Sequence, residues 1–155
     1  MTRTLISLSG AVLGAISPLF MRPPGRQVAA LCYRENDGDK EVLMITSRRT
    51  GRWIIPKGWP IDGLGFPDAA LYEAWEEAGV KRGRIAGAAS GSYRYRKRLQ
   101  NGAERPCLVD VYPVEVDSMA GTYPESTQRQ RRWVARDEAA NMVKEAELRQ
   151  IIRAI

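Results

Sequence analysis

Histidine is absent from all 155 residues. Its absence excludes histidine-based nucleophilic triads, histidine-ligated metal sites and imidazole acid–base chemistry, so a general base here must be a carboxylate, a lysine or a tyrosine. Cysteine is nearly absent too. Cys32 and Cys107 are the only two, each inside an apolar strand-like run, which reads as buried core thiols rather than as a disulfide framework or a nucleophile. No internal repeat and no low-complexity tract occurs. The longest uncharged apolar stretch, residues 5–21, falls short of the roughly 20 residues a membrane-spanning helix needs.

What is present fits one ordinary folded domain. The length is near the common single-domain size, and an apolar content of 44% is enough for a real core. Residues 1–25 stand apart. Arg3 precedes the apolar stretch, which resembles the hydrophobic part of a signal peptide but lacks a clear A-x-A cleavage site. Three readings fit: an extension packed on the domain, a weak export or membrane anchor, or an artefact of a start codon upstream of Met21. The preferred one is a non-secreted extension on a cytoplasmic protein with no firm membrane association. Pro23-Pro24-Gly25 then forms a linker into a domain over 26–155.

Three carboxylates carry most of the chemistry. Glu73, Glu76 and Glu77 are spaced i, i+3, i+4, which on a helix puts them on one face, one turn apart. Such neighbours repel each other, and a hard divalent cation such as Mg²⁺ relieves that repulsion because it prefers carboxylate oxygens. The helix is well signalled: Pro67 suits the first helical position, Asp68 favours the first turn, and Gly79 supplies a stop. Leu71, Ala74, Trp75 and Ala78 fall on the opposite side and are expected to pack on the core. A solvated acidic face on an amphipathic helix would show the same spacing.

The residues before the helix separate those two readings. Trp53-Ile54-Ile55-Pro56 reads as a short buried strand, and a Gly- and Pro-containing loop runs from Lys57-Gly58-Trp59-Pro60 to Pro67. Here the chain resembles the Nudix hydrolase family, whose signature is G-x5-E-x7-R-E-U-x-E-E-x-G-U with U aliphatic. Gly58, Glu73, Glu76, Glu77, Gly79 and Val80 match without gaps, and Ala74 is a small occupant of an aliphatic position. Leu64 replaces the first glutamate and Tyr72 the arginine, two residues that in the family mainly brace the loop against the helix. In detail the chain looks most like the branch that hydrolyses diphosphoinositol polyphosphates and diadenosine polyphosphates. The resemblance covers roughly residues 26 to 140 and rests for the branch on Leu31-Cys32-Tyr33-Arg34 and Arg52-Trp53.

That resemblance implies an α/β fold, a Nudix-type α/β/α sandwich with a mixed sheet. It implies one to three Mg²⁺ ions, with Mn²⁺ as the alternative, on Glu73, Glu76, Glu77 and the Gly58 carbonyl. Glu76 is the first choice of general base and Glu73 the second. An inactive binding module and a 5′-end RNA pyrophosphohydrolase are the alternatives.

Charge bears on the substrate. The net charge is +6 although the glutamate face is acidic, so positive charge must lie around that face. The candidates are Arg26, Arg48, Arg52, Lys57, Arg94, Arg96, Lys97, Arg98, Arg105, Arg129, Arg131 and Arg132; of these Arg52 and Lys57 are put forward as substrate contacts, and the resemblance implies Arg26, Arg105 and Arg131 as phosphate contacts. Arginine grips phosphate through two donors and lysine as a point charge, so a small-molecule polyphosphate is the expected ligand, with nucleic acid second. No feature specifies an oligomeric state.

The remaining chain reads as strands over Gln27–Arg34 and Glu41–Arg48, one strand from Gly83 to Arg98, and a hairpin turn at Asn101-Gly102. A return strand over Arg105–Val116, a short strand over Arg129–Ala135 and helices over Asp137–Ala146 and Leu148–Ile155 follow. Glu115 and Glu125 are expected in or near a late loop.

Overall fold

The computed structural model describes residues 24–155; the apolar extension over residues 1–23 lies outside them. Eight strands and three helices alternate in the order β1 (Gly25–Asn36), β2 (Asp39–Thr46), β3 (Trp53–Ile54), β4 (Lys57–Gly58), α1 (Phe66–Ala78), β5 (Val80–Ile85), β6 (Gly91–Arg98), β7 (Glu104–Met119), β8 (Arg131–Ala135), α2 (Arg136–Met142) and α3 (Ala146–Arg153). The strands form one sheet along the path β3-β2-β1-β7-β5, with β8 beside β2, β4 beside β1 and β6 beside β7. The sheet is mixed. β1 and β7 run parallel from Gly25↔Cys107 to Tyr33↔Glu115, and the other pairs are antiparallel.

Successive strand residues point to opposite faces, and both faces are apolar. Val28, Ala30, Cys32, Leu43, Ile45 and Val114 pack under α1. Ala29, Leu31, Val42, Met44, Val109 and Val111 pack under the chain's last two helices, reached through Leu148, Ile151 and Ile152. The expected α/β sandwich is therefore present, with its sheet covered on both sides. Both cysteines are buried and free, and burial pushes the Cys32 thiol up to about 12, far from a nucleophile's range.

α1 begins one residue before the expected start, at Phe66, with Pro67 inside the first turn and Gly79 as a left-handed cap at φ 72°. Its buried residues are Ala69, Ala70, Ala74, Glu77 and Ala78. Leu71 is half-buried against the same core cluster, as expected, whereas Trp75 is half-buried at its margin. Small side chains let the helix approach the sheet closely, and this closeness brings Glu77 under cover.

The expected single strand over Gly83–Arg98 is two strands. β6 pairs with the first half of β7 up to Gly91↔Val111, and β5 with the second half from Ile85↔Val114. The break faces Tyr112-Pro113, where the proline has no N–H to continue a ladder. Glu115 lies within β7, paired in register with Arg84, and not in a loop. The last helices part at Val143–Glu145.

A Cβ on Gly79 would collide with the Tyr123 ring and the Arg131 guanidinium. Gly79→Ala therefore combines that overlap with a positive φ, and we expect it to cost about 1–3 kcal/mol or more, read as a lower urea midpoint with an unchanged slope.

Candidate active site

The close approach of α1 to β4 shapes the acidic site. Gly58 pairs with Val28 and so faces α1, where the Glu73 carboxylate occupies the space a Cβ would need. Only glycine permits that contact. Four residues further along the helix, Glu77 Oε1 accepts the Lys57 backbone N–H at 3.2 Å. Two neighbouring residues of one short strand thus fix two glutamates of one helix.

A fourth carboxylate arrives from the β7–β8 loop. The Glu125 N–H donates to the Glu76 carbonyl at 3.0 Å, which anchors the loop to the end of α1. Between Glu77 and Glu125 lies Arg129. Its Nη2 stands 3.2 Å from Glu77 Oε2 and 3.2 Å from Glu125 Oε1, and its Nη1 donates to the Thr46 carbonyl at 3.0 Å. The side chains of Arg129 and Glu77 are only 7% and 10% exposed. Arg48 approaches Glu125 from outside at 3.6 Å.

One buried guanidinium and a second at the rim among four carboxylates leave the cluster short of positive charge. Burial, then the charges of Glu77, Glu76 and Glu125, raise Glu73 to about 8. Glu77 is also raised, by burial, against the pull of Arg129 and Lys57. The Tyr72 phenol is raised by hydrogen bonding to Glu76 and by that carboxylate's charge. Among the described residues no three carboxylates stand close enough to hold an ion as they are. Their chemistry fits: hard oxygen donors, uncompensated charge, and a glycine that clears the way for Glu73.

The opposite side of β4 is basic. Lys57 pairs with Ala29 and faces α2 and α3, its Nζ 5.0 Å from the Tyr95 ring centroid. Burial lowers its ammonium to about 8, with Arg52 and Lys97 adding to the shift and Glu77 and Glu145 opposing it. Arg52 bonds Glu145 at 2.8 Å, yet its Nη1 is buried with no acceptor. Lys97 pairs in register with Arg105, whose guanidinium lies 5.1 Å from the Trp59 ring centroid. Gln27 accepts the Tyr95 hydroxyl hydrogen bond behind them. Because Lys57 feels Glu77, the acidic and basic regions are continuous around β4.

The family model of the NUDIX domain matches residues 25–155. The chain belongs to the NUDIX family. It is 31% identical over 126 residues to Nudix hydrolase 21, chloroplastic, of Arabidopsis thaliana, covering 78% of this chain and 59% of that protein. It is 29% identical over 122 residues to human diphosphoinositol polyphosphate phosphohydrolase 3-beta, covering 76% of this chain and 68% of that protein. The chain thus spans well under the full length of the plant relative. The crystal structure of a C. elegans Ap4A hydrolase aligns at a TM-score of 0.63 and 19% identity, over 84% of this chain and 95% of that one, a likeness of fold.

In this NUDIX domain the five basic residues singled out from sequence divide between two faces. Arg52, Lys57 and Arg105 share the basic face. Arg26 is on the α1 face, bonded to Asp110 at 2.8 Å and over the Phe66 ring at 5.9 Å. Arg131 is also on that face, donating to the Ala78 and Ala120 carbonyls at 2.9 and 2.7 Å and stacked on Tyr123. Its donors terminate α1, so the guanidinium is not turned to the basic face. Glu73, Glu76 and Glu77 come together on α1 near Gly58. Sequence reading counts Lys97 and Arg129 only among the basic residues around the acidic face, places Glu125 only in or near a late loop, and gives Trp59 no functional role. Alternation from Tyr95 would have paired Lys97 with it, whereas nothing local marks Arg129 or Glu125, which depend on where a loop returns.

Glu73 has a folded-state value of about 8 against an ordinary 4.5. The folded state therefore binds more protons between these values, and the ion-free protein loses stability as pH rises through that window. Glu73→Gln should raise the melting temperature in chelator at pH 8 and change it little at pH 4, read by thermal unfolding of both proteins.

Proposed function

We propose that this chain is a NUDIX pyrophosphohydrolase that cleaves a phosphoanhydride bond of a polyphosphorylated small molecule with the help of Mg²⁺, or of Mn²⁺ in its place. The observation that carries the reading is the junction at Lys57-Gly58, which sets an electron-rich carboxylate cluster against an under-neutralised basic face. Glu73, Glu76 and Glu77, with the Gly58 carbonyl, would hold the divalent ion. Bound there, the ion supplies Lewis acidity, neutralising phosphate charge and lowering the pKa of a water. Glu76 is the favoured acceptor of that water's proton and Glu73 the second choice. Arg52, Lys57 and Arg105, joined by Lys97, hold the phosphates.

The substrate class follows from how much positive charge is free. Arg26 and Arg131 are committed on the other face, and Arg52 shares its charge with Glu145. A few cations remain, with the exposed indole of Trp59 beside them. That combination suits a linear polyphosphate bearing a base, as in a diadenosine polyphosphate, better than a densely charged inositol. Diphosphoinositol polyphosphates stay in the same class through the named relatives. Two free buried thiols suit the reducing cytoplasm, and no helix among the described residues is long and apolar enough to cross a membrane.

A second reading rests on Arg94, Arg96 and Arg98. They alternate along one face of β6, exposed and in no ion pair among the described residues. Such a row fits the phosphates of RNA and would support 5′-end pyrophosphate removal.

The test incubates the protein with Mg²⁺ and diadenosine polyphosphates, diphosphoinositol polyphosphates, nucleotide sugars or 5′-triphosphorylated RNA, and follows the products by mass. Ion-dependent cleavage of the dinucleotides is expected, with Glu77→Gln losing more than about 10-fold in turnover while staying folded. Tight binding without cleavage of any member would instead mark a binding module. The Lys57 ammonium titrates near 8 and is uncharged above that pH. kcat/KM should therefore fall as pH rises past 8, and Lys57→Arg should push that limb upward because arginine keeps its charge.

A further inference from the structure

Arg129 is a nearly buried cation whose three guanidinium nitrogens each reach an acceptor, and the acceptors come from three separate elements. Nη2 is shared by Glu77 of α1 and Glu125 of the β7–β8 loop, Nε also bonds Glu125 at 3.2 Å, and Nη1 bonds the Thr46 carbonyl at the end of β2. The backbone repeats the tie, since Gln130 N–H donates to Thr46 Oγ1 at 2.9 Å and Thr46 N–H to the Gln130 carbonyl at 3.0 Å. Glu77 has its other oxygen on the Lys57 N–H. Its carboxylate plane is therefore fixed from both sides, while each oxygen keeps a lone pair free.

We propose that Arg129 is the positioning residue of the carboxylate cluster: by tying Glu77 to Glu125 and both to the end of β2, it sets the affinity for the divalent ion and brings Glu125 into the cluster. The assignment rests on the divalent-ion reading above. It goes beyond that reading because Arg129 holds the cluster without being an ion ligand, and because Glu125 comes from outside α1. A partner that orients a ligating carboxylate typically changes ion affinity by about 10–100-fold when removed. A lysine keeps the charge but has no planar fork, so it cannot serve Glu77, Glu125 and the Thr46 carbonyl together.

The geometry also accounts for a departure in the signature region. Tyr72 carries no charge and is exposed, so position 72 offers α1 no cation. The positive partner of the Glu77 carboxylate is delivered across the molecule, from the residues that lead into β8.

The test measures Mg²⁺ affinity directly, by calorimetry and by the rise in melting temperature on titration, for the parent, Arg129→Lys, Arg129→Met, Glu125→Gln and the double variant Arg129→Lys/Glu125→Gln. Expected is a 10- to 100-fold weaker affinity in Arg129→Lys, a similar loss in Glu125→Gln, and a double variant little worse than either, since both act through one contact. Arg129→Met is expected to be weaker still, and the lysine variant carries the test if the methionine variant does not fold. Parent-like or tighter affinity in Arg129→Lys would overturn the proposal and make Arg129 a plain structural ion pair or a competitor of the ion. Strictly additive losses would overturn the link to Glu125. A parent protein that does not bind Mg²⁺ at all would instead defeat the divalent-ion reading on which the proposal stands.

Discussion

Mutual repulsion among Glu73, Glu76, Glu77 and Glu125 is the constraint on which the active half of this molecule depends. Burial, and after it the like charges of Glu77, Glu76 and Glu125, raise Glu73 to about 8. The fold brings them together regardless, because α1 lies against the sheet on alanines and its acidic edge has nowhere else to go. Arg129 offsets part of the repulsion and the Lys57 N–H another part. The remainder is unsatisfied in the protein alone, and such a site gains most from a small, hard, doubly charged ion.

The same economy of charge separates the two faces. Of the strongly basic residues, Arg26 is held by Asp110, whose other oxygen takes the Ser92 hydroxyl, and Arg131 closes the end of α1. Both guanidiniums already have acceptors within the fold, although the Arg26 side chain stays 57% exposed. Lys57 is different: burial first, and then the charges of Arg52 and Lys97, lower its pKa against the pull of Glu77 and Glu145, and its ammonium is in no ion pair among the described residues. A buried Arg52 N–H without an acceptor points the same way. Counting arginines therefore overstates the capacity for phosphate, and asking which cations are already satisfied gives the better measure.

α1 was legible in the sequence because it is bounded by local rules: a proline that fits the first turn, a glycine that only a left-handed cap requires, and glutamates at helical spacing. The strands β1, β2 and β7 were legible by their apolar runs, and the Asn101-Gly102 turn by its residues. The interruption between β5 and β6 was not, since it depends on Pro113 in a different strand. The placement of Arg131 was hidden for a related reason. Its two-residue spacing from Trp133, which packs on the α1 side, fixes its face only once the face of Trp133 is known. Arg129 and Glu125 are four residues apart in sequence, yet their role depends on a loop hydrogen-bonded to Glu76, a non-local fact that no periodicity carries.

Leu64 and Tyr72 show how such non-local support tolerates local loss. Both are exposed, so neither contributes to the core, and a charged pair at those positions would gain little from solvent-screened attraction. The cation that matters for Glu77 must be shielded from water to be effective, and Arg129, 7% exposed, is. A brace that lies under the site rather than on its surface can keep the carboxylates oriented while the loop from Trp59 to Gly65 varies in sequence. In this chain the orientation of Glu77 thus depends on a contact shielded from water and not on the exposed Leu64 or Tyr72.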